Sequence, residues 1–169
     1  PKEEEWGEIT QRPLFDVSEL ESQVQAILKD IKSSGVHAIR KYTEKFDGVF
    51  IRKFAVQAEE IEEAANLLDI ELKSAIETAA FNIQRFHQEQ LPETKKVETM
   101  PGVICWQKPV AIEKVGLYIP GGSAPLFSSV LMLAIPAAIA GCKEIVLCTP
   151  PNKEGKINPA ILYAARHAG

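Results

Sequence analysis

Sulfur is scarce in this chain: three cysteines, Cys105, Cys142 and Cys148, stand among 169 residues, with no CxxC spacing. An odd set of this kind gives no disulfide framework and predicts reduced, cytoplasmic thiols serving as small apolar fillers. Aromatic residues are also few, at 7%, yet 46% apolar and 25% charged residues exclude the disordered, collagenous and low-complexity classes. Long apolar runs are missing, and none approaches the roughly 18 residues of a membrane span. The opening Pro1-Lys2-Glu3-Glu4-Glu5 has no apolar core, so it does not read as a signal peptide. It has no Met either, so the chain is expected to be part of a longer gene product. Neither GxGxxG nor GxxxxGK[ST] occurs, and no GxSxG elbow surrounds a serine.

Charge is present but uneven. Residues 1–100 hold 20 acids against 13 Lys/Arg, a balance of −7, whereas residues 101–169 hold 3 against 6, a balance of +3. The acidic front argues against nucleic acid as a partner, and the basic back tolerates an anionic ligand. The length, at about 150 residues per domain, allows one domain or a little more.

The front reads as helical. Ser18-Glu19-Leu20-Glu21 is a capping box, and Leu20, Val24, Ile27, Leu28 and Ile31 follow on one helical face toward a stop at Gly35. A shorter helix is expected over 36–46, then a turn at Asp47-Gly48 and a β-rich stretch over 49–56. Ile61, Ala64, Ala65 and Leu68 mark another helix. Asp69 is positioned to cap the next, which carries Leu72, Ala75, Ile76, Ala79, Ile83 and Phe86. Glu59, Glu60, Glu62 and Glu63 read as a solvated helix face, and His37 and His87 as ordinary helical histidines rather than metal ligands.

From Lys95 the period changes. Met100-Pro101-Gly102 predicts a hairpin turn, and Val115 to Ile119 a buried strand broken by Pro120-Gly121-Gly122-Ser123. A helix apolar nearly all round should follow over 128–140, buried, kinked or divided at Pro136 and ended by Gly141. A second strand over 144–149 and a last helix after Asn158-Pro159 complete a parallel βαβα unit, which needs cover on both faces. His167 then suits the final helix's C-terminal dipole.

The glycine-rich loop has two readings. It is a phosphate or nucleotide cradle at the carboxyl end of a strand, or a tight turn in which glycine supplies a positive φ. Tyr118 beside it either contacts a flat heterocycle or belongs to the core. Ser123, Ser128 and Ser129 read as caps or loop hydroxyls. From the residues alone, a non-catalytic α/β binding or assembly module remains an alternative to an enzyme.

Val115-Gly116-Leu117-Tyr118-Ile119-Pro120-Gly121-Gly122, Ser128-Ser129-Val130-Leu131-Met132, Ile135-Pro136-Ala137 and Ala140-Gly141 closely resemble the histidinol dehydrogenase family. Tyr42 to Asp47, Asn82 to His87 and Pro101-Gly102-Val103 resemble it as well. The resemblance implies a helical N-terminal region followed by a parallel βαβα unit, within an incomplete Rossmann-like fold of two globules. Residues 1–117 would belong to the first globule with its helical segment, and residues 118–169 would open the second, NAD-binding one. It further implies a cytoplasmic homodimer that oxidises L-histidinol to L-histidine through an aldehyde, with two NAD and a zinc ion. Tyr118 would contact NAD, with Pro120, Gly121 and Gly122 shaping the loop. The zinc ligands and catalytic pair would lie downstream of Gly169, leaving the 169 residues by themselves inactive.

Overall fold

The computed structural model describes residues 1–11, 18–121 and 125–169. The chain forms two compact units, Pro1–Thr43 and Glu44–Gly169.

In the first unit, a 3-10 turn at Glu3–Glu5 leads into α1 (Trp6–Ile9), and α2 spans Ser18–Ser34. Ser18 to Glu21, read as the capping box, stand at the start of α2 as described. Gly35, at φ +53°, turns the chain left-handed and separates α2 from α3 (Val36–Asp47). Asp30 on α2 accepts hydrogen bonds from Lys41 Nζ at 2.7 Å and the Tyr42 hydroxyl at 3.0 Å. The Lys41 hydrogen bond, then that of Tyr42, holds the Asp30 carboxyl below its ordinary 3.8.

In the second unit, Gly48 at φ +72° ends the helical run. The stretch over 49–56 forms no strand, contrary to its apolar and β-branched composition. No neighbouring strand offers it a ladder among the described residues, although Val49 is buried. α4 (Ala58–Asn66) follows, with the Gln57 N–H donating to Glu60 Oε1 at 3.0 Å. Asp69 caps α5 (Ile70–Gln88) as expected, its Oδ1 accepting the Leu72 N–H at 2.7 Å.

β1 (Lys96–Met100) and β2 (Val103–Trp106) form the expected antiparallel hairpin, with Gly102 at φ +81° in its turn. β3 (Lys114–Tyr118) and β4 (Glu144–Cys148) pair in parallel from Lys114↔Glu144 to Tyr118↔Cys148. Between them α6 (Phe127–Ala140) makes the crossover, and α7 (Pro159–Ala168) follows β4. α6 continues through Pro136 as one element. At its end Gly141 lies at φ +88°, its N–H donating to the Ala138 carbonyl at 3.0 Å while the Cys142 N–H donates to Ala137 at 3.1 Å. That pair satisfies two of the carbonyls a helix leaves open. Asn158 Oδ1 caps α7 through the Ala160 N–H at 2.9 Å.

The core lies among the helices. Ile76 of α5, Val130, Leu131 and Ile135 of α6, Ala160, Ile161, Tyr163 and Ala164 of α7, and Ile119 form one buried cluster. The buried residues of α6 follow a single stripe, Val130, Leu131, Ala134 and Ile135, while Met132 and Leu133 remain exposed. An all-round apolar sequence has therefore not given an all-round buried helix. Cover of the parallel pair is also one-sided: Val115, Leu117, Ile145 and Leu147 are half-buried, and their alternating neighbours are exposed. The buried-strand pattern is met on that one face.

Candidate functional site

Tyr118 closes β3, and the parallel register sets it beside Cys148 at the end of β4. Side chains alternate along a strand, so Tyr118, Gly116, Cys148 and Val146 share the face away from the helices. Tyr118 is 66% exposed in this chain. One residue later the chain turns inward. The Ile119 N–H donates to the Cys148 carbonyl at 2.9 Å, and the Ile119 side chain is fully buried. This hydrogen bond extends the ladder and fixes the level at which the loop departs.

Pro120 and Gly121 lie exposed at the carboxyl ends of the strands. Gly122 and Ser123 fall outside the described residues. Gly121 does not have a positive φ, so the tight-turn argument does not explain it. Its reason is proximity: a Cβ there would lie 2.7 Å from Pro150 Cγ. The loops after β3 and β4 thus approach each other closely at the strand ends, where ligands of parallel α/β sheets bind. Pro150 is the neighbour that sequence reasoning missed. Its one signal was the Pro150-Pro151 pair directly after the second strand.

Ser128 and Ser129 are already within the first turn of α6, and Leu126 occupies the cap position without a side-chain hydrogen bond. They are not the caps their residue type suggested. Of the cysteines, Cys142 is half-buried, whereas Cys105 and Cys148 are exposed and all three are free. Only Cys142 therefore comes near the filler role.

A second cluster of polar groups joins α5 to α7. The buried Tyr163 hydroxyl donates to Glu77 Oε1 at 2.6 Å, and His167 Nε2 lies 3.8 Å from the same oxygen. The rings of Tyr163 and His167 are 4.6 Å apart. The Glu77 hydrogen bond, then burial, pushes the Tyr163 phenol above its ordinary 10.0. It belongs to the helix layer and is remote in sequence from the loop. Among the described residues, no three His, Cys, Asp or Glu side chains come together as a metal group. Among the same described residues, no helix is long and apolar enough to cross a membrane.

A helix carrying one parallel strand to the next, with a glycine loop at the strand ends, defines an α/β protein of Rossmann-like kind. The family profile described as histidinol dehydrogenase matches residues 10–169. The chain belongs to the histidinol dehydrogenase family. It is 56% identical over 169 residues to the histidinol dehydrogenase of Bacteroides fragilis, covering 100% of this chain and 40% of that protein. It is 46% identical over 160 residues to the histidine biosynthesis trifunctional protein of Saccharomyces cerevisiae, covering 94% of this chain and 20% of that protein. The crystal structure of histidinol dehydrogenase from Elizabethkingia anophelis matches with a TM-score of 0.94 at 47% identity, over 100% of this chain and 39% of that one. The chain therefore spans about 40% of the length of the Bacteroides relative.

Proposed function

We propose that this chain forms an NAD-contacting part of a cytoplasmic, homodimeric enzyme that oxidises L-histidinol to L-histidine through an aldehyde. The observation that carries the reading is the open, strand-end position of Tyr118, beside the close approach of Gly121 to Pro150. A flat ring with a hydroxyl at its tip, exposed where two parallel strands end, suits a heterocycle that needs both a stacking surface and a polar partner. Gly121 keeps its loop against Pro150, so backbone and a proline ring lie close together at the strand ends where Tyr118 stands. Pro120 and Gly122 complete the loop in this reading. Bound NAD would supply the hydride acceptor. Tyr118 would orient it and exclude water from one side of its ring system. Zinc binding and proton transfer fall to residues beyond these 169, so the chain alone has no turnover. The division at 117/118 into two globules belongs to the same proposal.

The test separates stacking from hydrogen bonding. In the whole enzyme, Tyr118→Ala should raise the KM for NAD by about tenfold, the scale of losing one aromatic–base stack. Tyr118→Phe should retain most of the affinity. An unchanged KM in both variants would remove Tyr118 from the cofactor site. Histidinol-dependent NADH formation by the 169-residue chain, with or without zinc, would show that the catalytic groups are misassigned.

A further inference from the structure

The β1–β2 hairpin presents a cationic and aromatic cleft apart from the Tyr118 loop. Lys96 stands directly opposite Trp106 in the antiparallel register. Alternation along the two arms brings Thr94 and Lys96 onto one face with Ile104, Trp106 and Lys108. These five residues line a cleft of about 360 Å³, within the ~300–1,000 Å³ range of small-molecule sites. Trp106 is 59% exposed and Ile104 53% in this chain. Among the described residues, neither Lys96 nor Lys108 takes part in an ion pair. Glu98 shares this face, yet its Oε1 accepts the Gly102 N–H at 2.9 Å in the hairpin turn. Its charge is thereby engaged at the far end of the hairpin from Lys108.

We propose that this cleft binds a nucleoside monophosphate, with the base on the Trp106 indole and the phosphate between the Lys96 and Lys108 ammonium groups. Each base has a π face that an indole accepts without reading its edge. Lysine meets phosphate as a point charge, and two of them neutralise a dianion. The Thr94 hydroxyl is an additional donor in the same cleft. A small ligand fits better than a polynucleotide, because residues 1–100 carry a balance of −7.

The experiment uses the 169-residue chain with Trp6→Phe, which leaves Trp106 as its only indole. AMP should quench Trp106 fluorescence saturably, and rising salt should weaken the effect. Lys96→Ala with Lys108→Ala should weaken binding about tenfold or more, the scale of one charge-assisted contact. Lys153→Ala with Lys156→Ala, on an exposed turn elsewhere, should change nothing. Calorimetry on Trp106→Leu should show that the preference for AMP over inorganic phosphate is lost. Absence of saturable binding, or full affinity in the Lys96/Lys108 variant, would overturn the proposal. Equal affinity for inorganic phosphate would reduce the cleft to a plain anion site and reject the nucleoside reading. Loss of the Trp106 quench in Tyr118→Ala would move the ligand to the loop after β3 and equally reject it.

Discussion

The two faces of the β3–β4 pair are made by the same ten residues, yet they meet different surroundings. Toward the helices stand Val115, Leu117, Ile145 and Leu147, all half-buried, with Leu147 packed against the core cluster. On the opposite face stand Gly116, Tyr118, Val146 and Cys148, all exposed. The hydrophobic content of the strands is not what distinguishes them, because Val146 is as apolar as its neighbours. Only one face has α6 to exclude water. The consequence is a strand whose alternate side chains meet the helix layer and the open side.

Substitutions on the two sides should therefore separate cleanly. Leu131→Ala, in the fully buried stripe of α6, should cost ~2–5 kcal/mol in chemical denaturation. A loss below about 1 kcal/mol would mean that the helix layer is not the stabilising one. Gly121→Ala should cost ~1–3 kcal/mol, because the new methyl meets the Pro150 ring at 2.7 Å. Adding Pro150→Ala should restore part of that loss in a double-mutant cycle, and strict additivity would contradict the contact.

Tyr163→Phe should cost about 1 kcal/mol by removing the Glu77 hydrogen bond. Its sign with pH follows from the raised phenol. The folded state binds the phenolic proton more tightly than the unfolded chain does. This contribution is present below pH 10.0 and is lost as pH rises through the higher folded value. Tyr163→Phe should flatten the alkaline fall in stability, and an identical fall in both proteins would assign it elsewhere. Smallest of all, Tyr118→Ala should change stability by no more than ~0.5 kcal/mol while weakening NAD. A Tyr118 variant as unstable as Leu131→Ala would erase the distinction between the faces.

Most helices were legible because their ends are local chemistry. Asp69, Asn158, Gly35 and Gly141 each act within a few residues of their own position, so spacing alone exposes them. The hairpin at Pro101-Gly102 is legible for the same reason. The strand expected over 49–56 was not, since a strand exists only with a partner and composition does not supply one. The parallel unit was readable from its order of elements. Its one-sided cover was not, because nothing in a strand names what lies on its far side. At the loop, Tyr118 was visible as an aromatic beside glycines. The reason for Gly121 was hidden, since Pro150 lies 29 positions away and only the register brings the two together.

That same register bears on the order in which the chain assembles. Lys114 and Glu144 are paired across 30 residues, a separation also spanned by the Glu113–Lys143 hydrogen bond. Closing a loop of that length costs on the order of 3 kcal/mol before any ladder bond is made. The β1–β2 turn closes over a few residues at about 1 kcal/mol on the same scale. The hairpin is thus set to form early, while β4 waits for α6 to fold and dock. A defect in the α6 stripe would first appear as slow pairing of the parallel strands.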